Sequence, residues 1–377
     1  SLHDALPIFV LLVGGLLIGY VTGASGYAKV TPMFVDLLPG VLALFLMHLG
    51  FVAGSQLEKL KGVGFKLISF GIVFPIFAGM LAIGLGLQFF ERGWLSANNI
   101  LFTDSESATL VNSGYVTHQD QTVALIEHAL NGRTLDRLVN THLHSDHCGG
   151  NAILQSHYAN LKTYIPPGEA PAVQVWNEPA LSYEPTGQLC PRFQFDGLLQ
   201  PGDSLQLANL DWHVMAAPGH DPHSVMLYQA EHRILISADA LWEEGFGVIF
   251  PELWGESGFE EVAQTIDLIE SLPVALVIPG HGRPFTDITK SIETARSRLD
   301  YLASSPDRNA RHGAKVLLKY KLLEWQRKDM SLVNEWIGNT PALRDAAKQL
   351  HMDMPEFSQW LSQALVKSGA AKIDGAY

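Results

Sequence analysis

Polar and apolar positions divide the chain into three regimes. The first consists of long runs without a formal charge, at residues 5–28, 37–57 and 67–90. Within them lie the apolar stretches 8–21, 33–53 and 67–89. Each run can cross a hydrocarbon core about 30 Å thick, at roughly 20 residues per helix, so the pattern predicts about three transmembrane helices. Gly14, Gly15, Gly19 and Gly23 suit close helix contact in lipid. Buried helices of a soluble core are the alternative. Lys59, Lys61 and Lys66 lie between the second and third runs, and Lys29 and Arg92 lie on the other side. The positive-inside bias would place the Lys59 loop in the cytoplasm and everything after Phe90 outside.

From about residue 88 short apolar runs alternate with amphipathic stretches. Residues 117–130 have helical spacing and close at Gly132. Residues 135–141, 212–216, 233–237 and 275–278 read as strands. Strands alternating with helices predict a layered α/β domain. The third regime is helical. Ile288, Ile292, Ala295, Leu299 and Leu302 share one face, and 315–326 forms another helix. Thr340-Pro341 reads as an N-cap and N1 pair, and Pro355 opens a helix that ends at Gly369.

Charge sharpens the first boundary. The chain has 377 residues, 25 Lys and Arg, 38 Asp and Glu, and a net charge of −13. Only four of those bases and three of those acids lie in the first ninety residues, so the acidic balance belongs to the rest. An acidic body argues against a protein that coats nucleic acid. Two cysteines cannot form a disulfide framework, and a reducing cytoplasm is the natural setting for the later part if it is separate. Taken as one chain, the protein would be anchored in an inner membrane.

The chemistry concentrates in Thr141-His142-Leu143-His144-Ser145-Asp146-His147-Cys148-Gly149-Gly150. Three His and one Asp follow a strand directly, and imidazole and carboxylate are the zinc ligands used outside thiolate sites. A His-rich surface loop is the plainer alternative. Three further strands each end in a turn and one ligand-type residue: His220 after 212–216, Asp239 after 233–237, and His281 after 275–278.

With these residues in place, the sequence from about 89 to 285 resembles the metallo-β-lactamase superfamily, with all five metal motifs present. The resemblance implies an αβ/βα sandwich with the site along one edge of the sheets. It implies that His142, His144 and His220 hold one metal, that Asp146, His147 and His281 hold a second, and that Asp239 bridges. The expected cofactor is two Zn²⁺, with iron or manganese also suited to these ligands. His142, Asp146 and Asp239 are the expected catalytic set, with Asp146 orienting a hydroxide shared by the metals. A carboxylate at Asp239 resembles the thioesterase, phosphodiesterase and nuclease branches, whereas true β-lactamases carry Cys or Ser there. The family's early Asp-x-Gly is Asn112-Ser113-Gly114 here. That Asp supports a loop and is not a ligand.

The expected activity is therefore glyoxalase-II-like hydrolysis of a small-molecule thioester or ester. A phosphodiesterase or endoribonuclease is the alternative, with nucleic acid as its partner. His223 and Arg283 are candidate substrate contacts. A place behind a ligand loop for His223 and a surface salt bridge for Arg283 are the alternatives. Trp242, Phe246, Phe250 and Trp254 either wall the pocket or fill the core. Cys148 and Cys190 read as packing, and Glu243 and Glu244 as solvated. The helices after 287 resemble the winged-helix-like tail of some hydrolases of this fold.

The stretch 11–85 resembles part of the sodium-dependent bicarbonate permease family, carried by LLVGGLLIGYVTGASG, TPMFVDLLPGVLALFLMHLGFVAG and FGIVFPIFAG. Asp36 and His48 would be its ionisable residues within the membrane. That family has at least twice as many spans, so a non-functional permease fragment is expected here, with membrane contact through 9–90. The opening SLHDALPI has no initiator Met and looks like a translated sequencing adapter. The domains expected are therefore 1–8 (adapter-like), 9–87 (permease-like), 88–286 (catalytic) and 287–377 (helical tail). The join near residues 86–88 is read as an assembly artefact, with a genuine fusion gene as the alternative.

Overall fold

The computed structural model describes residues 86–374. The apolar stretches 8–21 and 33–53 and most of 67–89 lie outside the described residues, as do Asp36, His48 and the adapter-like start. Among the described residues no helix is long and apolar enough to cross a membrane. The end of the third apolar run is a strand: β1 (Leu87–Phe90) pairs antiparallel with β2 (Asn99–Thr103). For Leu87–Phe90, backbone pairing in a sheet accounts for the apolar residues.

Two sheets follow from alternating positions. The first has six strands in the order β1, β2, β3 (Ala108–Val111), β4 (Arg137–Val139), β5 (Lys162–Ile165) and β6 (Gly197–Leu198). It is antiparallel up to β3 and parallel from β3 to β6. The second has five strands: β7 (Ser204–Leu207), β8 (Leu210–Ala216), β9 (Val225–Gln229), β10 (Ile234–Ala238) and β11 (Leu276–Pro279), ordered β11-β10-β9-β8-β7. Successive side chains of a strand point to opposite faces. Ile100 and Phe102, with Val111 and Val139, therefore meet Trp212, Val214, Ile234 and Ile236 between the sheets. Leu101, Leu110 and Leu138 face outward onto α1 (Gln119–Leu130) and α3 (Asn151–His157) through Ile126, Leu130 and Leu154. Leu235 and Val277 face outward onto α6 (Phe259–Ser271) and α7 (Ile288–Ala303) through Ile266, Ile269, Ile292 and Leu299. The result is a four-layer αβ/βα sandwich. The short helices α2 (Ser145–Cys148), α4 (Ala170–Val175) and α5 (Tyr183–Thr186) lie in the loops after β4 and β5.

The tail is helical. It contains α8 (Pro306–Trp325), α9 (Met330–Asn339), α10 (Pro341–Gln349) and α11 (Met354–Lys367). No strand is found beyond β11 among the described residues, so the winged-helix expectation holds for the helices and not for a wing. Thr340 stands at the N-cap of α10 with Pro341 at N1, but its hydroxyl donates to Trp336 O at 2.7 Å and caps nothing. Asp353 does cap α11, accepting from Glu356 N at 2.8 Å. The tail has its own core, with Leu317, Ile337, Leu343, Phe357 and Leu361 buried together. Val248, Phe250 and Leu253, from the loop after β10, enter that core. This docks the tail on a loop that lines the site.

Candidate metal centre

The site forms where strands end. β4 stops at Val139, and Asn140-Thr141 lead to His142, His144 and the short helix α2, which carries Asp146 and His147. Asn112, with φ of +59°, accepts from Thr141 N at 3.1 Å. An Asn tolerates this left-handed backbone better than most residues. The residue that replaces the family's Asp thus holds the start of the ligand loop. β8 leads to His220, β10 to Asp239 and β11 to His281. The ladder between β10 and β11 is irregular at Ile236–Ala238, and Ala238 has φ of +48°. Such a break re-aims the residue that follows, here Asp239.

The seven ligand-type residues come together as two groups. His142, His144 and His220 form one, and Asp146, His147, Asp239 and His281 the other, each with donor atoms within 4.8 Å of one another. Asp239 lies between the groups: Oδ1 is 3.3 Å from His147 Nε2, and Oδ2 is 3.3 Å from His220 Nε2. Asp146 Oδ2 accepts from His281 Nε2 at 3.0 Å.

The donor set suits divalent metal. His142 Nε2, His147 Nε2 and His281 Nδ1 are buried atoms without a hydrogen-bond partner. Burying a polar atom unpaired costs on the order of 1–3 kcal/mol, so His142 Nε2 and His147 Nε2, on rings whose centroids lie 3.9 Å apart, call for a partner such as a cation. The charge states agree with this. Burial, then His147 and His144, drives the His142 imidazole well below its ordinary range. Burial and His144 lower His220 to about 4. Burial opposes charge on Asp239, yet His147 and His281 hold it well below the ordinary carboxylate range. Burial likewise opposes charge on Asp146, which His147 and His281 hold down. Burial lowers His281, but Asp239 and Asp146 outweigh it and leave its pKa raised. Neutral imidazoles on His142 and His220 and ionised carboxylates are the states that bind a cation.

Supporting contacts orient the rings. His220 Nδ1 donates to Val248 O at 2.5 Å, which aims Nε2 at the cluster. His144 Nδ1 is 2.8 Å from His220 Nε2, while its Nε2 faces Asp221 Oδ2 at 3.7 Å. Asn98 donates to Pro279 O and Gly282 O, and pins the loop that carries His281. Trp94 stacks on His281 with centroids 5.7 Å apart. Asn98, Trp94 and Asp221 were not anticipated from the sequence. Only Asp221, next to His220, had a local signal.

A cavity of about 60 Å³ lies at the cluster and is walled by Trp94, Trp242, Phe250, Gln188 and, from α8, Leu317 and Tyr320. A larger one, about 520 Å³, adjoins it at His144, His220 and Phe250. His223 lines this second cavity beside Asp221 and Trp254. Arg283 lines neither; it is exposed and its Nε lies 3.3 Å from Glu91 Oε2. The structure places Arg283 in the surface ion pair that was the alternative to a substrate contact. Of the four aromatic residues after Asp239, Trp242, Phe250 and Trp254 line the cavities, and Phe246 is in the core. Glu243 and Glu244 are exposed. Cys148 packs beneath the ligand loop, with its sulfur 3.7 Å from that of Cys190; both thiols are free.

The family model of the metallo-beta-lactamase superfamily matches residues 92–281. The chain belongs to this superfamily. Within the matched residues, the seven ligand-type side chains stand on the loops at the ends of β4, β8, β10 and β11. A second family model, that of the Na⁺-dependent bicarbonate transporter superfamily, matches residues 3–103. The two overlap at 92–103, which includes β2 of the sandwich. Among curated proteins, a hydroxyacylglutathione hydrolase of Haemophilus ducreyi is 28% identical over 161 residues, covering 42% of this chain and 57% of that protein. The acyl-coenzyme A thioesterase MBLAC2 of Gallus gallus is 27% identical over 156 residues, covering 39% and 56%. The chain spans about half the length of the curated relatives it matches. Among solved structures, the BLEG-1 B3 metallo-beta-lactamase aligns with a TM-score of 0.46 at 22% identity, over 55% of this chain and 96% of that one. A metallo-beta-lactamase family protein from Thermus thermophilus aligns with a TM-score of 0.47 at 18% identity, over 77% and 96%.

Proposed function

We propose that residues 88–377 form a binuclear metal-dependent hydrolase of small-molecule thioesters or related esters. The observation that carries this reading is Asp239, whose two oxygens each stand 3.3 Å from a His of a different group. A carboxylate so placed can serve both metals. The names of two relatives, a hydroxyacylglutathione hydrolase and an acyl-coenzyme A thioesterase, support the same reaction class. His142, His144 and His220 would hold one ion, and Asp146, His147 and His281 the other, with Asp239 between them. Bound there, divalent metal acidifies water and polarises a carbonyl oxygen.

The chain's own residues do the rest. Asp146, steadied by His281, accepts a proton at a carboxylate oxygen and orients the attacking water. Val248 O and Asp221 hold His220 and His144 at fixed angles. Trp94, Trp242, Phe250 and the α8 residues Leu317 and Tyr320 exclude bulk solvent, which strengthens every polar interaction inside. The acyl or leaving group would occupy the larger cavity beside His223. We assign the hydrolase to a reducing cytoplasm when separate from residues 9–87, and we assign no transport to the permease-like part.

Elemental analysis of the full chain, with a panel of thioesters, esters and bis-p-nitrophenyl phosphate, tests the proposal. About two metals per chain and turnover of thioesters are expected, and the same analysis identifies zinc, iron or manganese. Absence of bound metal sinks the reading. Turnover of the phosphodiester alone would assign a phosphodiesterase instead.

A further inference from the structure

We propose that the cleft between α7, α8 and α11 binds a phosphate-bearing small molecule. The cleft has a volume of about 470 Å³ and shares no lining residue with either cavity at the metal centre. Its size falls within the range of small-molecule pockets, about 300–1,000 Å³. Four cations line it, Arg298, Arg308, Arg311 and Lys315, and no carboxylate does. None of the four is ion-paired with a carboxylate among the described residues, although the chain carries a net charge of −13. Elsewhere bases find acids readily: Arg296, on the same helix as Arg298, contacts both Asp267 and Glu270.

The guanidinium groups are held by neutral partners. Arg298 lies over the Phe246 ring at 5.1 Å and donates to His312 Nε2 at 2.8 Å. Arg308 lies over Tyr301 at 4.2 Å and donates to Ser304 Oγ at 2.6 Å. Arg311 lies over Trp360 at 4.9 Å. Aromatic faces and neutral acceptors orient a guanidinium without neutralising it. Burial first, and then Arg298 and Lys315, lower the His312 imidazole to about 3. Four like charges gathered around one hollow repel one another, and an anion entering it relieves that repulsion. Arginine forks match phosphate oxygens two at a time, and several cations exceed what a single carboxylate needs. A phosphoryl or diphosphoryl group is therefore the chemistry that fits, on a molecule no larger than a mononucleotide.

The test is calorimetry on the full chain after metal removal and dialysis, so that anions have no metal to bind. The probes are inorganic pyrophosphate, adenosine monophosphate and, as a control, acetate. Pyrophosphate or the nucleotide should bind, and acetate should not. The variant R311Q/K315Q should bind at least tenfold more weakly while keeping its circular dichroism spectrum. Lys348→Gln, at an exposed cation paired with Asp345 outside the cleft, should leave binding unchanged. Arg298 is left in place because it packs on Phe246. The proposal is overturned if neither phosphate probe binds at millimolar concentration, or if R311Q/K315Q binds as the parent does. Binding of an oligoribonucleotide but of neither small probe would overturn it too.

Discussion

Asp239 Oδ2 lies 3.3 Å from His220 Nε2, although the two residues belong to different groups of the cluster. Its other oxygen faces His147 at the same distance. One carboxylate thus joins two ligand sets that hang from different strands. Asp239→Asn keeps the shape and removes the charge. Metal content should fall from about two per chain to about one or fewer, and thioester turnover should drop with it. Elemental analysis beside a rate measurement checks this; full metal content in the variant would contradict a bridging role.

Asp221 acts on the site at one remove. Its Oδ2 faces His144 Nε2 at 3.7 Å, and its Oδ1 accepts from His223 N at 2.7 Å. Loss of such a supporting carboxylate typically weakens metal binding about 10–100-fold. Asp221→Asn should show that loss in a chelator competition, with little change in thermal unfolding. Unchanged metal affinity would make Asp221 a loop residue only.

Gly280 precedes the ligand His281. A Cβ there would collide with Asp239 Oδ1 and stand 3.0 Å from His147 Cε1. Gly280→Ala should therefore strip metal although no ligand is changed. Overpacking of this kind costs on the order of 1–3 kcal/mol, so the variant should still fold. A folded variant that retains full metal would show that the loop yields easily.

The charge of the larger cavity bears on substrate choice. Glu169, Asp221 and Glu256 line it, and no Lys or Arg does. Burial, then Asp221, raises the Glu169 carboxyl well above its ordinary value. A like-charge contact costs about 1 kcal/mol in water at 4 Å, roughly a factor of five in rate. A neutral thioester should accordingly surpass a glutathione thioester in kcat/KM at low salt. Glu256→Gln should narrow the gap. A preference for the glutathione thioester would show that the leaving group lies elsewhere.

His312 gives a pH dependence outside the metal centre. Burial, Arg298 and Lys315 lower it from 6.5 to about 3. As pH falls below about 6.5 the unfolded chain takes up a proton that the folded chain refuses. Stability should thus be lost as pH falls towards 3, by up to about 1.4 kcal/mol per pH unit from this group. In His312→Gln the urea midpoint should fall less between pH 7 and pH 4.5 than in the parent. Parallel losses would show that the imidazole is solvated.

Much of the centre was legible because its ligands follow strands whose alternation can be read locally. His142, His144, Asp146 and His147 lie within six residues, and the turns before His220, Asp239 and His281 repeat one pattern. Helix ends read well where one residue decides them, as with the left-handed Asn131 before Gly132. The helix Met330–Asn339 was missed, although Val333 and Ile337 are one turn apart and buried. Arg283 looked suitable as a substrate contact because it follows a ligand by two residues, yet its side chain turns to Glu91 in solvent.

The sequence by itself determined the ligand types, the strand-end positions that carry them, the layered α/β class and the helical nature of the tail. These depend on periodicity and on side-chain chemistry, both local. Only the tertiary structure decided that Asp239 stands between the two groups, that Asn98 ties the His281 loop and that α8 closes the site. It also brought Arg298, Arg308, Arg311 and Lys315 around one hollow. Those relationships join residues far apart in the chain, and packing of the sheets and helices sets the distances between them.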